Sequence, residues 1–164
     1  MKIQKTNVAR LLDKAKVSYE LIPYEVDEND LAAQHVAEEL GEDLHQVFKT
    51  IVLHGDKTGY LVCVLPGNCE VNLKKAAKVS GNKKVETIPM KELLPVTGYI
   101  RGGCSPIGMK KHFPTYFHTT ALQFDHIYVS AGQRGLQIKI APADLIRESR
   151  GEVADIADET EENQ

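Results

Sequence analysis

The chain has 164 residues, 42% of them hydrophobic and 26% charged, and a net charge of −3. That length suits one domain closing a single core, and the mild negative charge argues at first against a nucleic-acid partner. No apolar run approaches the ~20 residues of a membrane span, Met1-Lys2-Ile3-Gln4-Lys5-Thr6 has no apolar centre of a secretory signal, and three cysteines without CxxC spacing indicate neither a disulfide framework nor a zinc site, so a soluble chain in a reducing cytoplasm is expected.

Taken in order, Val8, Leu11, Leu12 and Ala15 recur at helical spacing with Thr6 or Asn7 as cap, predicting an opening helix. Residues 19–26 read as a strand that Pro23 confines to an edge or bulge. Asp30 is placed to cap a helix burying Ala33, Val36, Ala37 and Leu40 and ended by Gly41. Residues 48–54 and 60–65 are β-branched apolar runs joined by Gly55-Asp56-Lys57-Thr58-Gly59, the clearest hairpin in the chain. Asn72 caps a helix over 73–80 stopped by Gly81; a short strand at 83–88 and a short helix at 89–94 follow.

Residues 97–108 are too rich in Gly and Pro for regular structure. Further strands are expected at 115–118, 127–130 and 136–140, with a last helix at 142–147. Helices and strands are interspersed without regular βαβ units, so the fold class is α/β in the mixed α+β sense, with a mixed sheet. The domain is expected to span residues 1–157, and the acidic stretch 158–164, without apolar residues, reads as a disordered tail.

The net charge conceals a pattern. Residues 1–71 carry 7 basic and 12 acidic side chains, residues 72–111 carry 9 and 2, and residues 112–164 carry 4 and 9. A centre of +7 lies between two segments of −5. Lys74, Lys75 and Lys78 share a helix face opposite Leu73, Ala76 and Ala77, and Lys83 and Lys84 follow. Such a run is a solvated face or a surface for phosphates; with no Trp and four Phe in the chain it would hold backbone rather than stack bases.

Three other features carry chemistry. The Gly-rich segment can present backbone N–H groups to an anion or an oxyanion, although it is neither a P-loop nor a dinucleotide fingerprint. Lys49, between Phe48 and Thr50 at the mouth of an apolar strand, is either an ordinary solvated lysine, a charged ligand for phosphate or carboxylate, or a base of shifted pKa. Cys104 and Ser105 invite a nucleophile reading, but no base is marked for them. The six histidines show no metal-ligand spacing, so neither metal nor cofactor is expected.

Phe48-Lys49-Thr50, Asn72-Leu73-Lys74-Lys75-Ala76-Ala77-Lys78, the run from Thr97-Gly98-Tyr99 through Gly102-Gly103-Cys104-Ser105-Pro106 to Lys110-Lys111, Ile127-Tyr128-Val129-Ser130-Ala131-Gly132 with Arg134-Gly135-Leu136, and Ile140-Ala141-Pro142-Ala143-Asp144-Leu145 together resemble the YbaK/EbsC family, in order and over nearly the whole chain. Its members are free-standing relatives of the editing insertion domain of bacterial prolyl-tRNA synthetase. The resemblance implies a mixed, partly barrel-like sheet surrounded by helices, and a deacylase that removes cysteine from mischarged Cys-tRNA(Pro), with Cys-tRNA(Cys) as a second substrate.

By the same resemblance Lys49 matches an essential lysine engaging the terminal adenosine and its phosphate. Gly102 and Gly103 match the backbone beside the ester; Thr50, Ser105, Ser130 and Tyr24 match polar pocket positions; Cys104 falls at a variable position. The implied mechanism uses the substrate's own thiol to attack the ester, so that the protein needs no nucleophile, metal or cofactor. Charged tRNA is the implied partner, with prolyl-tRNA synthetase as a second, and Lys74, Lys75, Lys78, Lys83 and Lys84 would hold the acceptor stem. Two other readings stay open: a sister-branch hydrolase of Ala-, Ser- or Pro-tRNA, and a tRNA-binding module without activity.

Overall fold

A computed structural model describes residues 4–159. Helix α1 (Asn7–Lys14) starts at Thr6, whose side chain accepts from the Ala9 amide, and buries Val8, Ala9 and Leu12; Leu11 and Ala15, expected on the same stripe, are exposed. Strand β1 (Tyr19–Pro23) leads to α2 (Ala33–Leu40). The central hairpin is β2 (Phe48–Gly55) and β3 (Gly59–Pro66), followed by β4 (Cys69–Val71), α3 (Leu73–Ser80), β5 (Val85–Thr87) and α4 (Met90–Thr97). After the Gly-rich loop come β6 (Thr115–His118), a 3₁₀ turn (Thr119–Gln123), β7 (Ile127–Gln133), β8 (Leu136–Ile140), α5 (Pro142–Ser149), β9 (Glu152–Ala154) and β10 (Ala157–Glu159).

The strands form a mixed five-stranded sheet in the order β5-β2-β3-β6-β9, an antiparallel sheet β1-β8-β7 and a two-stranded β4-β10 ribbon. A parallel bridge between Val47 and Tyr128 joins the two larger sheets beside β2. The mixed architecture expected from sequence is present, and this single bridge leaves the barrel-like arrangement unclosed.

Period-2 alternation sorts the hairpin's side chains into two cores. Phe48, Val52, Val62 and Val64 face the antiparallel sheet, α1 and α5, packing with Phe117, Val129, Ile138, Ile140 and Leu145. Leu53, Leu61, Cys63 and Leu65 face the opposite way, onto Ala76 and Ala77 of α3 and onto Ile156. Strand β3 is buried on both faces, which is why 61–65 reads as an unbroken apolar run. A third cluster, Val36, Ala37, Val47 and Tyr128, seats α2 on the antiparallel sheet.

Several local expectations shift. Asp30 is not the α2 cap: Ala32 occupies that position without a side-chain bond, because Asp30 belongs to a preceding turn closed by its amide on the Asp27 carbonyl. Helix α4 runs past Pro95 to Thr97 before Gly98 ends it at φ 87°. The expected tail is also ordered at its start: Asp158 and Glu159 pair with Glu70 and Cys69 in the ribbon, and Asp158 accepts from Asn72 Nδ2 at 2.8 Å. The rest of that stretch, 160–164, lies outside the described residues. No helix among the described residues is long and apolar enough to cross a membrane.

Candidate active site

Strand β2 is flanked on one side by β3 along its whole length. On the other side β5 pairs only with Leu53, His54 and Gly55, and β7 forms a ladder bridge only with Val47, just before the strand. Between them the edge of β2 over residues 48–52 has no strand partner among the described residues. A cleft of about 630 Å³ opens there. The start of α2, the start of α4 and the loop residues Arg101, Gly102 and Cys104 wall it, and Ser130 and Gln137 line it from the antiparallel sheet.

Lys49 and Thr50 lie on this open edge. The Lys49 ammonium is half-buried and donates to the Gly67 carbonyl at 3.5 Å. Burial pushes its pKa below the usual lysine value, and the Glu70 carboxylate and Cys69 pull it partly back. Ser130 and Gln137 are directly opposed in the β7–β8 ladder, and Ser130 Oγ accepts from the Gly132 amide at 3.1 Å in a bulge of β7. Thr50 Oγ1, Asn68 Nδ2 and Gln137 Oε1 are buried without a hydrogen-bond partner among the described residues. All three residues line the cleft. Buried polar atoms are nearly always satisfied inside proteins, so three orphans in one cleft mark a place where a polar ligand completes the bonding.

The Gly-rich loop is rigidly tied. Arg134 Nε donates to the Arg101 carbonyl at 2.8 Å, Tyr99 Oη to the Ile107 carbonyl at 2.5 Å, and the Lys110 amide to the Thr97 carbonyl at 3.0 Å. Gly102, at φ 84°, lines the cleft. Gly103 is buried behind it, its amide donating to the Ile100 carbonyl at 2.9 Å. An added Cβ there would stand 3.0 Å from Gln133 Cα and 3.2 Å from the Arg134 nitrogen. The role of Gly103 in this structure is close backbone packing rather than donation into the cleft.

Two further positions differ from expectation. Ser105 is fully buried and away from the cleft lining, and its Oγ is occupied by the Ile107 amide at 3.4 Å. Tyr24 packs with the α2 cluster, one layer from the cleft. Cys104 does line the cleft, but burial pushes its thiol up to about 12, which holds it protonated and unreactive at neutral pH. Asn68 and Gln137 were not marked by sequence, since an isolated Asn in a turn and a Gln in a strand carry no motif; their orphaned atoms emerge only from packing.

The basic segment is divided by the fold. Lys75 is bound by Asp155 at 3.0 Å and Asp158 at 3.4 Å, and Lys84 by Glu86 at 3.0 Å. Lys74, Lys78 and Lys83 are exposed. Lys110, Lys111 and Arg150 rim a second cavity of about 350 Å³ between the end of the Gly-rich loop and the end of α5. No group of three or more His, Cys, Asp or Glu residues among the described residues is placed to hold a metal.

A mixed α/β fold, an interrupted sheet edge holding a half-buried lysine, and a glycine wall together frame this cleft. The chain belongs to the aminoacyl-tRNA editing domain family, which matches residues 27–148. It is 52% identical over 153 residues, covering 93% of each chain, to EbsC of Enterococcus faecalis, a protein named as a candidate Cys-tRNA(Pro)/Cys-tRNA(Cys) deacylase. It is 24% identical over 121 residues, 74% of this chain and 76% of the relative, to the uncharacterised YwhH of Bacillus subtilis. A solved structure described as a candidate trans-editing enzyme for prolyl-tRNA synthetase has the same fold, with a TM-score of 0.79, 20% identity, and 94% of this chain and 99% of that chain covered.

Proposed function

We infer that this protein is an aminoacyl-tRNA deacylase that removes cysteine from Cys-tRNA(Pro), with Cys-tRNA(Cys) as a second substrate. The reading rests on the cleft itself: a half-buried lysine and three unsatisfied polar atoms surround a space whose lining, among the described residues, contains no carboxylate and no imidazole. Such a site can hold an aminoacyl ester, but it offers no conventional base to activate a water and no ionised nucleophile of its own. That balance favours substrate-supplied chemistry over the sister-branch hydrolase.

In this mechanism Lys49 anchors the terminal adenosine phosphate as a point charge. Gln137 Oε1 and Thr50 Oγ1 accept from the α-ammonium, and Gly102 shapes the wall against the ester. The cysteine sulfur attacks the carbonyl, a C–S bond forms, the C–O ester bond breaks, and the thiol proton passes to the departing ribose oxygen. A cysteine thiolactone and an uncharged tRNA result. Holding thiol and carbonyl in contact is the catalytic contribution, and well-oriented intramolecular attack can gain effective molarities of ~10⁵–10⁸ M. Discrimination is then chemical, because alanine and proline carry no thiol.

Lys74, Lys78 and Lys83, with Lys75 and Lys84 less available, bind acceptor-stem phosphates; these contacts carry little sequence information. Recruitment by prolyl-tRNA synthetase in the cytoplasm supplies the missing tRNA selectivity. The test is a panel of charged tRNAs: cysteine is released, alanine and proline are retained, and cysteine with an alkylated thiol is retained. Release of the alkylated substrate at the normal rate refutes cyclisation, and salt-sensitive binding without release of any amino acid identifies a non-catalytic module.

A further inference from the structure

We propose that the Asn68 side-chain amide is a catalytic hydrogen-bond donor to the ester carbonyl oxygen, acting beside Lys49; this deepens the deacylase reading and rests on it. Asn68 sits in the two-residue turn between β3 and β4 and is 4% exposed. Its Oδ1 faces the Cys69 thiol, which donates across 3.8 Å, while its Nδ2 has no partner among the described residues. The orphaned atom is therefore a donor, and the residue carrying it lines the cleft. A buried amide N–H is costly to leave unpaired, so its persistence at a ligand cavity implies an acceptor on the ligand.

The turn is held stiffly. The Gly67 amide donates to the Val47 carbonyl at 2.8 Å. The turn also presses so closely on α2 and the approach to β2 that a Cβ on Gly67 would stand 2.5 Å from Ala33 Cβ and 3.2 Å from the Val47 oxygen. The Gly67 carbonyl receives the Lys49 ammonium. One turn thus fixes both the cation and the amide, which is the preorganisation that stabilising a developing charge requires.

In the Gly-rich loop the Gly103 amide is committed to Ile100, and Ser105 is buried away from the cleft. As sulfur attacks, the carbonyl oxygen gains negative charge, and a hydrogen bond from Nδ2 strengthens in the transition state relative to the bound ester. When the C–O bond breaks the charge returns through the carbonyl, and the leaving ribose oxygen takes the thiol proton.

The test compares Asn68→Ala and Asn68→Asp with the unaltered protein in single-turnover release of cysteine from Cys-tRNA(Pro), alongside binding of uncharged tRNA. Asp keeps the shape and the acceptor facing Cys69 but removes the donor. The expected result for both is a rate lower by about 10²–10³-fold, with tRNA affinity within twofold. A rate within threefold of the unaltered protein overturns the proposal, as does a loss of affinity equal to the loss of rate.

A second arm reads the Asn68 side-chain amide by ¹⁵N NMR in the unaltered protein. A non-cleavable adenosine with an amide-linked cysteinyl group should shift this resonance, and adenosine monophosphate should not. If the unaltered protein releases no amino acid, the deacylase reading fails on its own, and the NMR arm still decides whether Asn68 meets an aminoacyl carbonyl. The same arm decides if the variants do not fold: an unmoved resonance overturns the proposal.

Discussion

Replacing Gly103 by Ala separates a packing role for this residue from a donor role. The added Cβ would lie 3.0 Å from Gln133 Cα, 3.2 Å from Gln133 C and 3.2 Å from the Arg134 nitrogen. All three neighbours are backbone, so no rotamer change relieves the contact, and the loop must move away from the β7–β8 turn by a few tenths of an ångström. Overpacking of this kind costs about 1–3 kcal/mol. For a chain of this length that lowers Tm by roughly 2–12 °C.

The same displacement shifts Gly102 and Cys104, which line the cleft. With a 1 Å misplacement worth about 10²-fold in rate, a shift of a few tenths lowers single-turnover release by about 3–10-fold. Gly102→Ala is the comparison. Its cost is about 1–2 kcal/mol from φ 84°, and its near neighbours, the Leu31 and Arg134 side chains, can yield. Thermal melts and single-turnover deacylation measure both. A Gly103→Ala protein with unchanged Tm and unchanged rate would refute the close-packing argument.

Lys49→Ala should lower cysteine release by at least about 100-fold while Tm holds or rises, because a half-buried ammonium is removed along with its desolvation cost; near-normal release dismisses the anchoring role. Burial lowers the Lys49 pKa from 10.5, so affinity for adenosine monophosphate should decline as pH rises through a midpoint below that value. Arg stays charged throughout the range, so Lys49→Arg should abolish the decline. The folded state binds fewer protons at Lys49 than the unfolded chain between its lowered pKa and 10.5, so this group makes stability rise with pH across that window, a slope that Lys49→Ala should remove.

Asn82→Ala should cost about 2–4 kcal/mol, because its side chain accepts from the Lys57 and Thr58 amides and donates to Thr58 and Ser80 hydroxyls around the hairpin turn. Cysteine release below the melt should be unaffected. Neutralising Lys74, Lys78 and Lys83 together should weaken tRNA binding and flatten its dependence on log[salt], by a slope of up to about 3; an unchanged slope would move the RNA surface elsewhere.

Much of this molecule was legible because local rules decided it. Asn72 and Gly81 bound α3 as cap and stop, the β2–β3 hairpin follows from two apolar runs around a Gly-bounded turn, and Pro23 ends a strand at the sheet edge. Lys49, Thr50, Gly102 and Ser130, far apart in the chain, are brought to one cleft. Short β9 and β10 were not visible, since three residues each are too few to show a pattern and are strands only through partners distant in sequence. The length of α4 was missed because a proline in its last turn forgoes one backbone bond without ending the helix.

The sequence by itself determined most of the secondary elements, the family, the lysine at the strand mouth and the uneven charge along the chain. Tertiary structure decided which of those charges remain available, pairing Lys75 with acids eighty and eighty-three residues away. It turned Gly103 inward and buried Ser105. It also left single polar atoms of Asn68 and Gln137 unsatisfied in the cleft. Whether a hydrogen-bonding group is spent or free depends on what packs against it in three dimensions, and no periodicity or spacing along the chain encodes that.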